Sequence, residues 1–321
     1  MEFTFHEKTG TQPSTYFGRF MHFQRVVDPR NFFNTRKDLE KAMALVSAKR
    51  REEDLLGRPL LLSQSDYETL YRANSLVNSA VSRDTGEIIP HPMRMCSFVP
   101  INIPILFGML IVPPTAMNTI FWQWFNQSFN AGLNYGNRNA SSPYTTTDLM
   151  QGYTAAVGSS VSMALILRKL FSGMASRVTG AKLILINSVV SSLAGGTASF
   201  LNTFKKIKLS SEVDESVFKS TECARKAIFE TAYSRVFLSI SCLMSPALLF
   251  YAVEKAGRTP KTPATRIPYE IAVFMLALMV GLPASIALFP QTGALKRTEL
   301  ENGLQDKLPE RIQTVYYNKG M

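Results

Sequence analysis

Charge is missing from long stretches of this chain, and that restricts its fold more than any other property. No Asp, Glu, Lys or Arg stands between Arg94 and Arg138, Asp148 and Arg168, Lys182 and Lys205, Arg235 and Glu254, or Glu270 and Lys296. A helix in water must present polar residues on its wet face, whereas a hydrocarbon layer of about 30 Å asks for roughly twenty apolar residues at about 1.5 Å each. These windows predict an all-α, polytopic membrane helix bundle of about five transmembrane helices, near 98–117, 149–167, 183–204, 236–253 and 271–290. An odd number of spans puts the two termini on opposite sides of the membrane.

Averaged over the chain the hydropathy is close to zero, because the charge absent from the windows collects ahead of them. The expected organisation is a soluble helical N-terminal region, 1–95, a transmembrane domain, 96–295, with an amide-rich segment at 121–139, and a C-terminal tail, 296–321. Two amphipathic helices are expected in the first region. Thr35 with Asp38 opens one, Leu39, Met43 and Val46 form its stripe, and Gly57 and Pro59 stop it. Ser65 with Glu68 opens the other, with Leu70, Tyr71, Val77 and Val81 inward. Pro100, Pro104, Pro113 and Pro114 interrupt the first span, and membrane helices carry such breaks only where protein or a watery cavity satisfies the freed carbonyls.

The net charge of +11 is dispersed among acids and concentrated near span ends, so it points to topology and anionic lipid, not to nucleic acid. The count of basic residues leans toward the N-terminal region facing the compartment of synthesis or, in an inner membrane, the matrix. Cys96, Cys223 and Cys242 have neither disulfide-framework nor metal-ligand spacing, and no metal or cofactor is expected. Glu2 and Glu7, with no arginine run or apolar h-region, do not read as a cleaved targeting peptide. His6, His22 and His91 lie outside the spans and no acid lies within one, so an enzyme is not expected.

The most unusual stretch runs from Phe121 to Asn139 and holds amides and aromatics without a charge until Arg138. At about 100° per residue Gln123, Asn126, Asn130, Asn134 and Asn137 fall in one arc, with Gln127 beside it and Phe121, Trp122, Phe125, Phe129 and Leu133 opposite. Carboxamides both donate and accept, which suits a ligand carrying an ammonium and a carboxylate together. Interhelical packing is the competing explanation. The candidate substrate-binding set is Gln123, Asn126, Gln127, Asn130, Asn134, Asn137, Arg138 and Asn187. Asn187 comes from a second polar face, on the third span, shared with Ser191, Gly195 and Asn202.

Several stretches in order resemble the sideroflexin family: Phe17-Gly18-Arg19, His22-Phe23, Asp28-Pro29-Arg30-Asn31, Asp84-Thr85-Gly86-Glu87, Arg94-Met95, Trp122-Gln123-Trp124 through Asn139, Ser234-Arg235, Ala287-Leu288-Phe289-Pro290-Gln291 and Tyr317-Asn318-Lys319-Gly320. The chain departs from the family's pattern at Ser82-Arg83, where His-Pro is usual, and at Leu201-Asn202-Thr203, which keeps an Asn but lacks the usual proline. The resemblance implies a multi-pass protein of the mitochondrial inner membrane that moves serine and related small neutral amino acids for one-carbon metabolism, with membrane lipid and inner-membrane proteins as partners. It also leaves open a non-transporting scaffold or assembly factor tied to respiratory complexes or iron homeostasis. A tricarboxylate substrate would need several cations within the spans, and none of the uncharged windows holds one.

Overall fold

A computed structural model of the 321-residue chain describes residues 1–5, 15–82, 85–137, 146–211, 220–290, 292–306, 308 and 311–318. Strand β1, Glu2–Phe3, pairs antiparallel with β2, Leu60–Leu61, and helices α1, Tyr16–Val26, α2, Arg36–Leu56, and α3, Gln64–Ala80, complete the N-terminal region. Helix α2 starts and stops where its sequence says. Thr35 accepts from the Asp38 N–H in a reciprocal capping box, and Gly57 ends the helix at φ 63°, a conformation that glycine adopts without a Cβ penalty. Leu39, Ala42 and Val46 of α2 bury against Leu70, Ala73, Leu76 and Ala80 of α3 in a core separate from that of the bundle.

Helix α3 begins two residues earlier than its expected box. Two frames overlap there, Ser63 with Asp66 and Ser65 with Glu68, and Ser63 provides the cap by accepting from the Asp66 N–H. The earlier frame prevails because it adds a hydrogen-bonded half-turn at no loss of burial. Helix α1 was not anticipated, as its apolar residues are interleaved with Arg19, His22 and Arg25.

Four helices among the described residues are long and apolar enough to cross a membrane, over Leu149–Ala175, Ala181–Ala198, Arg225–Lys255 and Pro263–Ile286. They belong to α6, Thr146–Ala175, α7, Ala181–Ser211, α8, Thr221–Lys255, and α9, Pro263–Ile286. Successive helices run antiparallel: Arg168 meets Asn187, Ser192 meets Ser239, and Ser241 meets Ser285. The expected all-α polytopic bundle is therefore present.

The count differs at the first window. Helix α4, Phe98–Leu110, has 13 residues and is about 20 Å long. It stops at Pro113-Pro114, and α5, Ala116–Gly136, turns back along it. Gly108 lies under Trp122, whereas Gly136, at the far end of α5, lies against Met93, just ahead of α4. The 98–117 window is thus one arm and the bend of a helical hairpin, and the amide segment is the other arm. Helix α4 sits inside, packed on α5, α7 and α9.

One end of the bundle gathers both termini. Helix α1 rests on the C-terminal end of α9, where Arg19 Nε donates to the Ala287 carbonyl at 3.0 Å and Tyr16 donates to that of Ala284 at 3.3 Å. A cation bonded to the last carbonyls also favours the negative end of the helix dipole. After α9 a two-stranded sheet, β3, Thr292–Lys296, with β4, Thr314–Asn318, packs at the N-terminal end of α8, which lies at the same end of the bundle. Glu301 accepts there from Ser220 Oγ and the Glu222 N–H. The described terminal regions thus meet at one end of the bundle, where a count of five single spans puts them at opposite ends, because the first window supplies a hairpin.

Candidate functional site

Two of the amides of α5 turn into the protein. Gln123 is 2% exposed and Gln127 is also buried, whereas Trp124, on the other face, is 44% exposed. Gln123 Oε1 accepts from Ser160 Oγ on α6 at 2.6 Å. Burial fades along the stripe. Asn126 and Asn130 are half-buried and bonded to each other at 3.3 Å, and the exposed Asn134 accepts from Arg235 at 3.3 Å. Asn137 caps α5, with Nδ2 donating to the carbonyls of Leu133 at 2.7 Å and Met93 at 3.0 Å. Arg138 and Asn139 lie outside the described residues, as do Arg83 and Asp84.

The seven expected residues that are described therefore do not converge on one place. Gln123 and Asn187 approach the hairpin tip, while Asn130, Asn134 and Asn137 lie toward the opposite end. Asn137 in particular is a latch holding the end of α5 to the turn before α4. A face can be aligned on a helix over some 20 Å while only part of it meets any one cavity.

Asn187 does more than close a packing seam. It is 2% exposed, its Nδ2 donates to the Leu110 carbonyl at 2.9 Å, and its Oδ1 accepts from Arg168 Nη1 at 3.0 Å. The chain explains why Leu110 needs a donor. Proline has no N–H, so Pro113 and Pro114 deprive the carbonyls of Met109 and Leu110 of their helical partners. The Val112 N–H turns to the Phe107 carbonyl at 3.0 Å, which finishes the helix. Asn187 supplies the donor to Leu110 from α7, and in doing so it orients Arg168.

Next to this junction is a small cavity of about 10 Å³ lined by Met109, Asn118, Thr119, Gln123, Arg168 and Ser191, among others. Three of its polar atoms are buried without a hydrogen-bond partner: Thr119 Oγ1, Arg168 Nε and Ser191 Oγ. Buried donors are nearly always paired, so three orphans on one cavity mark it out from the rest of the interior. Thr119, Arg168 and Ser191 were not among the expected site residues. Arg168 was placed at a span boundary, yet α6 continues to Ala175 and carries it inside. The signal available for Thr119 was its position four residues before Gln123, on the same helical face.

Two further expectations change. Arg168 is a cation within a membrane-length helix, and Glu270 is an acid within another, buried and paired with Arg266 at 2.8 Å. Both stand at the edges of the charge-free windows, and the helices run past those edges, α6 beyond Arg168 to Ala175 and α9 from Pro263, ahead of Glu270.

Long apolar helices, with a broken hairpin inserted among them, define a multi-pass α-helical membrane protein. The sideroflexin family model matches residues 10–321. The chain is 34% identical to Sideroflexin-5 of Homo sapiens over 318 residues, which cover 97% of this chain and 91% of that protein. It is 30% identical to Sideroflexin of Dictyostelium discoideum over 96% of this chain and 94% of that one, and 32% identical to Sideroflexin FSF1 of Saccharomyces cerevisiae over the same shares. The chain belongs to the sideroflexin family. No solved structure matches it. Two of the stretches that carried the resemblance meet in the fold, since Arg19 of Phe17-Gly18-Arg19 bonds Ala287 of Ala287-Leu288-Phe289.

Proposed function

We propose that this protein moves small neutral amino acids, serine among them, across the mitochondrial inner membrane and so supports one-carbon metabolism. The observation that carries the reading is the pair of buried, uncharged amides on α5, Gln123 and Gln127, with Gln123 held by Ser160 of α6. A burial of carboxamides and hydroxyls favours a ligand that is polar yet carries no net charge. Of the described residues lining the cavity, Arg168 alone is a cation, which matches one carboxylate and leaves two of a tricarboxylate uncompensated. The division into an N-terminal region, 1–95, a transmembrane domain, 96–295, and a tail, 296–321, belongs to the same proposal, with the first region serving assembly or gating.

Uptake of labelled L-serine by liposomes containing the pure full-length protein, run beside labelled citrate, tests the reading. Saturable serine uptake above protein-free liposomes is expected, with none for citrate. Citrate uptake without serine uptake overturns it, and a protein that moves neither is a scaffold.

A further inference from the structure

The unpaired donors at the hairpin tip carry the reading to a specific end of the substrate. We propose that Arg168, Thr119 and Ser191 form the carboxylate-binding end of a substrate site at the tip of the α4–α5 hairpin; this rests on the amino-acid transport proposed above.

Arg168 comes from α6, Thr119 from α5 and Ser191 from α7, so three helices bring donors to one cavity. Thr119 and Ser191 are 3% and 1% exposed, and neither hydroxyl has a partner. Asn187 holds the Arg168 guanidinium by Nη1, and Nε is the buried atom left unpaired. Nε and Nη2 make up the side-on fork by which a guanidinium takes a carboxylate through two parallel bonds. Two hydroxyl donors beside that fork give a carboxylate further bonds on its remaining lone pairs.

The hairpin adds the opposite polarity alongside. Helix α5 begins at Ala116, close to Thr119, and its N-terminal end favours negative charge. Helix α4 ends at Leu110, and Met109, whose carbonyl lost its helical donor to Pro113, lines the same cavity. A carboxylate on the α5 side and an ammonium on the α4 side is the charge layout of an α-amino acid. Broken helices in transporters likewise aim N-terminal ends at anionic substrate groups and C-terminal carbonyls at cations. The cavity of about 10 Å³ matches roughly one water molecule, so admitting an amino acid requires the tip to move. The residues Ile111 to Thr115, with their two prolines, are the segment that bends.

The test uses the full-length protein in detergent and in liposomes, with three compounds: L-serine, glycolate, which lacks the ammonium, and ethanolamine, which lacks the carboxylate. Serine, and more weakly glycolate, should raise the melting temperature, and ethanolamine should not. The Thr119→Val/Ser191→Ala pair removes both hydroxyls while nearly keeping shape, so its unliganded melting temperature should hold while the serine shift disappears. Arg168→Lys keeps the charge and loses the fork, and the half-saturation of serine uptake should rise about ten-fold or more.

An ethanolamine shift equal to that of serine, or no shift with any compound, overturns the site. So does a wild-type serine shift in the double variant, which would mean that the cavity holds a structural water only. If Arg168→Lys fails to fold, the double variant still decides. A serine shift without uptake of labelled serine leaves the carboxylate site standing and removes transport, whereas wild-type uptake in both variants does the reverse.

Discussion

At the scale of single residues, polar side chains that resemble one another in the sequence do different work according to what their bonds hold. Asn137 closes α5 onto Met93, so Asn137→Ala should cost stability, about 1 kcal/mol or somewhat more from an orphaned carbonyl, and leave serine uptake per folded molecule unchanged. Melting curves beside uptake normalised to inserted protein separate those outcomes; lost uptake with full stability would return Asn137 to the substrate path. Asn187→Ala strands both the Leu110 carbonyl and Arg168, so it should depress stability and uptake together. In the N-terminal region the bonds from the Thr35 hydroxyl and N–H hold the Asp38 carboxyl below its usual range. Burial pushes Asp28 up, but its hydrogen bonds with Arg30 and the charge of Arg30 outweigh that and leave it lowered too. Carboxyls held low stabilise the fold above their unfolded pKa, and that contribution is lost as pH falls through the folded value. The helical N-terminal region should therefore lose stability below about pH 4, and Asp38→Asn should flatten that dependence when melting is followed by circular dichroism.

At the scale of elements the hairpin depends on a close approach. A Cβ built on Gly108 would stand 1.9 Å from ring atoms of Trp122, and neither a rigid indole nor the helix backbone can yield that much. Gly108→Ala should push α5 off α4, at about 1–3 kcal/mol for an overpacked site, and displace Thr119 with it. Melting temperature and serine uptake should both fall, and Gly108→Ala/Trp122→Leu should recover part of the stability. Equal losses in the single and double variants would show that the contact does not set the helix spacing. Helix α6 illustrates how charge placement misleads at this scale. Arg168, followed directly by Lys169, ends a charge-free window without ending the helix, because the arginine side chain turns inward to Asn187.

At the scale of the whole molecule the four membrane-length helices among the described residues, with a hairpin that returns to its starting end, gather both terminal regions. The N-terminal region, the first turns of α8 and the β3–β4 sheet share that end and carry more of the described Lys and Arg than the opposite end does, which in the proposed membrane favours the matrix side for them. Single cysteines placed at Leu55 and Tyr316, both exposed, in a protein otherwise free of cysteine should label from the same side in intact mitochondria; labelling from opposite sides would overturn this arrangement. Val26 and Val27 enter the bundle core with Phe98 and Val99, and Arg19 caps α9. A protein starting at Thr85 should therefore insert with a lowered melting temperature, and an unchanged one would contradict the docking of α1.

The sequence by itself determined the class of fold, because charge-free windows of membrane length admit few solutions in water. It also determined the start and stop of α2, since capping boxes and positive-φ glycines act over three or four residues, and it placed the amides of α5 on a single face, since 3.6-residue periodicity is local. Only the tertiary structure decided that α4 and α5 form a hairpin, that Asn137 is a latch, and that Thr119, Arg168 and Ser191 meet. Thr119 and Ser191 stand 72 positions apart in the chain, and no periodicity links residues on different helices. Their meeting follows from the bend at Pro113-Pro114 and the order in which α5, α6 and α7 pack, and those depend on contacts that one helix cannot specify alone.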